Sequence, residues 1–139
     1  MRPLAGVVVL DFSTLLPGPL ATLLLAEAGA EVVKIERPGG DDLREWPPYW
    51  GDASVHYALL NRGKQVITID LKSDEGRAQL APLLERADVL VEQFRPGVMG
   101  RLGLDYPSVS RLHPRLIYCS VTGYGQTGPK SGVARSEEH

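Results

Sequence analysis

The sequence predicts an α/β fold, a mostly parallel five-stranded sheet flanked by helices, on two observations. Five short runs, Val7–Leu10, Glu31–Glu36, Val66–Ile69, Asp88–Val91 and Leu116–Val121, alternate with segments carrying helix signals. Strands that alternate with helices build parallel sheets through right-handed crossovers. The first run is apolar at four consecutive positions, as a strand covered on both faces requires. The pattern is Rossmann-like, and residues 1–129 read as one α/β unit followed by an irregular polar tail at 130–139.

Each element has its own reason. Pro17-Gly18-Pro19 ends the first run and opens a helix, since proline's fixed φ and missing N–H suit a first helical turn. Leu20 to Ala28 is apolar nearly all round, which predicts a buried helix, and Gly29 is placed as its left-handed cap. The second run delivers Glu36 and Arg37 to the sheet edge. Gly39 to Ser54 is a long irregular segment holding Trp46, Tyr49 and Trp50. A lid or partner-facing loop and plain packing of the tryptophans onto the core stand equally open.

Ser54 to Leu60 reads as a short helix and Asn61-Arg62-Gly63-Lys64 as a turn. Ser73-Asp74-Glu75 starts another helix with a capping side chain and an acidic first turn. Leu80, Leu83, Leu84 and Ala87 continue its stripe, but Pro82 predicts a kink or a helix in two pieces. Val98–Leu102 and Pro107–Leu112 are short helices on either side of Gly103.

Composition excludes several functions. Fifteen Lys+Arg against seventeen Asp+Glu leave a net charge of −2, which gives no basic face for nucleic acid. Cys119 is the sole cysteine, so no intrachain disulfide forms. It reads as a small core residue in a cytoplasmic protein. No signal-peptide pattern opens the chain, and Leu15–Leu25 is too short to span a bilayer, so no membrane role is expected. His56, His113 and His139 are scattered without partners at ligand spacing, so no metal is expected. Neither the dinucleotide glycine fingerprint nor a P-loop is present, so Glu36 at a strand end is not taken as a ribose-binding acid.

A parallel sheet puts all five carboxyl ends on one rim. Those ends are a Leu-Pro-Gly-Pro loop, Arg37, Lys72, Gln93-Phe94-Arg95 and a Gly-Tyr-Gly-Gln loop. Cations hold phosphates, an aromatic face stacks a base, and glycine lets backbone N–H groups come close. A phosphorylated nucleotide-like ligand follows, and coenzyme A is one such molecule.

Four stretches carry a resemblance: LDFSTLLPGPLATLLLAEAGAEVVKIERPGGDDLR, LNRGKQVITIDLKSDEGR, ADVLVEQFRPGVMGRLGLDY and PRLIYCSVTGYGQTGP. In order and spacing they resemble the N-terminal part of the class III CoA-transferase (CaiB/BaiF) family. That family includes formyl-CoA transferases, carnitine and bile-acid CoA-transferases and α-methylacyl-CoA racemases. The resemblance implies CoA contacts at Leu16, Pro17, Arg37, Ile69, Asp70, Leu71, Lys72, Gln93, Phe94, Arg95 and Arg101. It implies coenzyme A or acyl-CoA as substrate and no permanently bound cofactor. Gln93 stands where many members have Asn, and Gln65 where many have a basic residue, which removes one charge near the site.

The resemblance also implies truncation. The family's catalytic Asp, which carries the acyl group as a mixed anhydride in transferases, lies beyond the matched stretches. No catalytic residue is therefore assigned here, and structural roles fit Asp11 and Asp70. The expectation is weak CoA binding without turnover, and a homo-oligomer or a second polypeptide supplying the rest. Three readings stay open: a transferase fragment, a racemase-type member, and a non-catalytic association module. The Leu-Leu-Pro-Gly-Pro loop leans toward racemases and the Gly39–Ser54 insert toward transferases.

Overall fold

The computed structural model describes residues 1–133. In chain order the elements are β1 (Val8–Asp11), α1 (Pro17–Glu27), β2 (Glu31–Glu36), a 3-10 turn (Asp42–Glu45), β3 (Tyr49–Trp50), β4 (Ala53–Ser54) and α2 (Val55–Leu60). Then come β5 (Gln65–Thr68), α3 (Asp74–Arg86), β6 (Val89–Glu92), α4 (Val98–Arg101), α5 (Tyr106–Leu112) and β7 (Ile117–Ser120). The main sheet has five strands in the order β5-β2-β1-β6-β7, and every pair is parallel. The chain winds outward from β1 through β2 to β5, then crosses back to lay β6 and β7 on the other side. Direction reverses between β1 and β6, the point where open α/β sheets leave a crevice.

Alternation along each strand explains the two layers. Leu10, Val33 and Leu90 point to one face, where Leu80 and Leu84 of α3, Met99 of α4 and Val109 of α5 complete the larger core. Val9, Val32 and Val91 point to the other, against Leu25 and Ala26 of α1.

Several expectations are corrected. α1 is not buried all round: Leu20 and Leu24 are 42% and 60% exposed while Thr22 and Leu23 face in, because the helix lays only one side on the sheet. Of the two outcomes expected at Pro82, a helix in two pieces is not found: α3 runs as one helix through Pro82. Pro82 and Ala78, whose carbonyl loses its partner, both lie on the solvent side, where water replaces the missing bond. Cys119 is exposed rather than a core residue, since β7 pairs on one side only and Ile117 beside it is 64% exposed. The tryptophans do not pack the long segment down: Trp46 and Trp50 are 47% and 86% exposed around the β3–β4 hairpin. Among the described residues no helix is long and apolar enough to cross a membrane. The polar tail expected at 130–139 extends outside the described residues from position 134 onward.

Candidate functional site

The carboxyl ends of β1, β2, β5 and β6 open onto a cavity of about 720 Å³. Phe12, Ile69 and Phe94 supply apolar wall, and Arg37, Lys72, Arg77 and Arg101 supply four cations against the two carboxylates of Asp42 and Asp70. The walls come from local chain chemistry. Asp70 Oδ1 accepts from the Lys72 amide at 3.0 Å, closing a tight turn that presents Lys72. The Ser73 hydroxyl then caps α3, accepting from the Gly76 amide at 2.9 Å. Gly76 is required there, because a Cβ would sit 1.9 Å from the Asp70 carbonyl oxygen.

Of the residues singled out from the sequence, Arg37, Ile69, Asp70, Leu71, Lys72, Phe94 and Arg101 line this cavity together. Arg95 does not: it lines a neighbouring cavity of about 350 Å³ with Tyr106, Tyr118 and Gln126. The single rim read from the sequence is thus two cavities that meet at Phe94. Leu16, on the loop after β1, and Pro17, the first residue of α1, are exposed and lie outside both cavities. Gln65 is not near the site, since it begins β5 and the cavity lies at the strand's other end.

Gln93 acts on that loop. Its Oε1 accepts from the Gly18 amide at 3.1 Å and its Nε2 donates to the Thr14 carbonyl oxygen. Both ends of the amide are thereby committed to holding the loop. Gly18 fits only as glycine, since a Cβ would lie 2.1 Å from Ser13 Cβ.

Two buried ion pairs hold the loop from below. Lys34 Nζ donates to Asp41 Oδ2 at 2.8 Å and to the Ser13 carbonyl at 3.1 Å, with both charged side chains fully buried. Asp41 Oδ1 accepts from the amides of Leu15 and Leu43 at 3.3 and 2.9 Å. Leu15 has φ 61°, the sole positive φ at a non-glycine position among the described residues. That backbone costs about 1–2 kcal/mol and persists only because its surroundings impose it. Asp11 in turn accepts from Thr22 Oγ1 at 2.6 Å and from Lys64 Nζ at 3.2 Å, so its role is structural. Burial pushes the Lys64 pKa down by more than the Asp11 charge raises it.

Glu36 is likewise part of the frame. Arg44 grips it with Nε at 2.9 Å and Nη2 at 2.7 Å, and the Asp41 amide donates to it at 3.1 Å. Burial raises its pKa, but the Arg44 hydrogen bonds, the Asp41 amide and the Arg44 charge outweigh that and hold the carboxyl below its ordinary range. Tyr57 shares this cluster, and burial beside Glu36 pushes its hydroxyl up. Among the described residues no group of His, Cys, Asp or Glu has the makings of a metal site.

Sequence reasoning missed Arg77, Asp42 and the Lys34–Asp41 pair. Arg77 follows the Ser-Asp-Glu-Gly helix start by one residue, but a helix-surface arginine reads as a solvated charge. A buried lysine is rare enough that Lys34 in a strand carries no warning.

The cation-rich, aromatic-bearing cavity thus lies at the switch point of a doubly wound parallel sheet. The sequence model of CoA-transferase family III matches residues 4–135, and the chain belongs to that family. It is 48% identical over 128 residues to the acetyl-CoA:oxalate CoA-transferase of Acetobacter aceti, covering 91% of this chain and 33% of the relative. It is 46% identical over 133 residues to the succinyl-CoA:glutarate CoA-transferase of Homo sapiens, covering 94% and 30%. A CaiB/BaiF family protein from Brucella suis superposes with a TM-score of 0.90 at 40% identity, over 96% of this chain and 36% of that one. The chain thus spans about a third of the length of the relatives it matches.

Proposed function

We propose that residues 1–129 are the CoA-binding part of an acyl-CoA transferase that moves CoA between carboxylic acids. The observation that carries this is the convergence of Arg37, Lys72 and Arg101 with Phe94 on one 720 Å³ cavity at the switch point. Guanidinium and ammonium groups bind the phosphates of CoA, and the Phe94 ring packs on its base or pantetheine arm. The loop after β1, braced by Asp41 and Gln93, offers Leu16 and Pro17 to the thioester end. Asp11 and Asp41 are committed to buried pairs, so no carboxylate among them serves as nucleophile. By the family resemblance the acyl-carrying carboxylate lies beyond the matched stretches, and the part proposed for residues 1–129 is to hold CoA. The relatives named above are transferases, which supports that branch over racemases. Their acids, oxalate and glutarate, support a small dicarboxylate as acceptor. The free Cys119 thiol fits a reducing, cytoplasmic setting.

Calorimetric titration of the chain with CoA tests the reading. Weak saturable binding, weakened but not abolished by Arg37→Gln, is expected. A folded chain that takes up no CoA overturns it.

A second reading, association through the scaffold, is favoured by exposed apolar side chains. Leu24, Leu112 and Ile117 are 60%, 79% and 64% exposed. It predicts a homo-oligomer or a complex with a second polypeptide, and a monomer in sedimentation at high concentration refutes it.

A further inference from the structure

The four cations of the large cavity are not equivalent. Arg37 is already engaged: its Nε donates to the Gly40 carbonyl at 3.3 Å and its Nη2 pairs with the Asp42 carboxylate. Asp42 is the first residue of the 3-10 turn, so the chain itself places an anion where a ligand's phosphate would go. Arg77 stands differently. Its Nε donates to the Leu71 carbonyl at 3.1 Å, which fixes the plane of the guanidinium against the loop that presents Lys72. Among the described residues it enters no ion pair, and the N–H groups on its two terminal nitrogens remain for a ligand. Asp70, the other carboxylate on the wall, spends Oδ1 on the Lys72 amide. With Arg37 paired to Asp42, the excess positive charge of the cavity sits at Lys72, Arg77 and Arg101, three cations against the one Asp70 carboxylate.

A phosphate monoester is nearly dianionic at neutral pH and presents three oxygens, whereas a diester carries one charge. An anchored guanidinium fork beside an ammonium matches the monoester, because two parallel N–H bonds and a point charge serve different oxygens. We propose that Arg77, with Lys72, selects a phosphate monoester in this cavity, and that Asp42 is an internal rival that holds Arg37 until such a ligand displaces it. The assignment deepens the CoA reading and rests on it for the ligand's identity: CoA carries one monoester, on its ribose, besides a pyrophosphate diester. Arg77 and Asp42 are both exposed, so replacing either leaves the core untouched.

Titration of the full chain with CoA, 3′-dephospho-CoA and adenosine 3′,5′-bisphosphate tests it, with circular dichroism as the folding control. Wild type should prefer CoA to dephospho-CoA by about tenfold or more, as expected for a charge-assisted pair. Arg77→Gln should erase that preference, and Arg77→Lys should restore only part of it. Asp42→Asn should tighten CoA about two- to fivefold, the scale of an exposed ion pair, and should do nothing in an Arg37→Gln background. Unchanged preference in Arg77→Gln overturns the proposal while leaving the CoA reading intact. Binding of the bisphosphate that depends on Arg77, without binding of CoA, upholds it and removes the CoA reading. No binding of any of the three removes both.

Discussion

Replacing Asp41 by Ala isolates the clamp beneath the loop after β1. Lys34 and Asp41 are both fully buried at 2.8 Å, so the variant leaves an ammonium in the interior without a counter-ion in contact, held by the Ser13 carbonyl and facing the Tyr57 ring at 5.8 Å. Breaking a buried pair in this way costs about 3–5 kcal/mol, far more than the pair adds over an apolar substitute. Against a total stability on the order of 5–15 kcal/mol, the loss is a large fraction of the whole. At about 3 °C per kcal/mol for a chain of this size, the melting midpoint should fall by roughly 10–15 °C. Urea unfolding followed by circular dichroism supplies the free energies. The decisive comparison is the double variant Lys34→Met/Asp41→Ala, which removes the orphaned charge. It should recover about half the loss and no more, because the Leu15 and Leu43 amides and the Ser13 carbonyl stay without partners. An Asp41→Ala variant within about 1 kcal/mol of wild type, or a double variant as unstable as the single one, refutes the reasoning.

Three other perturbations have defined outcomes. Folding lowers the Glu36 pKa from its ordinary 4.5, so its carboxylate contributes stability that is full above that value and drains away as pH falls through the folded one. Glu36→Gln should therefore be less stable at neutral pH yet lose less between about pH 5 and pH 3, as read from urea midpoints, and parallel profiles would contradict this. Gly76→Ala pushes a Cβ into the Asp70 carbonyl 1.9 Å away and should cost about 1–3 kcal/mol; a wild-type thermal melt would show that the turn yields freely. Gln93→Asn is one methylene too short to reach both Thr14 and Gly18, so about 0.5–1.5 kcal/mol should be lost in the same assay. An unchanged midpoint would mean the bridge is not needed.

The sheet was legible because short aliphatic and β-branched runs alternate with helix signals along the chain, and β2 falls on Glu31–Glu36 as the pattern predicts. The rim residues were legible for the same reason: once strand ends are known, Arg37, Lys72 and Phe94 are placed by topology. What was hidden depends on neighbours distant in sequence. Cys119 looks like core until β7 is known to be an edge strand. The apolar girth of α1 says nothing of whether a second layer covers its outer side. The bracing part that Gln93 plays was hidden too, since Thr14 and Gly18, bonded to the two ends of its amide, lie 79 and 75 positions away. Lys34 and Asp41 are seven apart, but only the fold of the intervening turn turns them toward each other.

Because Leu15 and Leu43 hang their amides on the same carboxylate oxygen, the loops after β1 and β2 share one latch. Once Asp41 swings away with the turn after β2, both amides lose their acceptor together. Hydrogen exchange at the two amides should therefore run at one rate set by a common opening, not at two local ones. A ligand that orders the turn after β2 then slows exchange at Leu15 without touching it. The latch makes two segments of unrelated sequence behave as a single mechanical part.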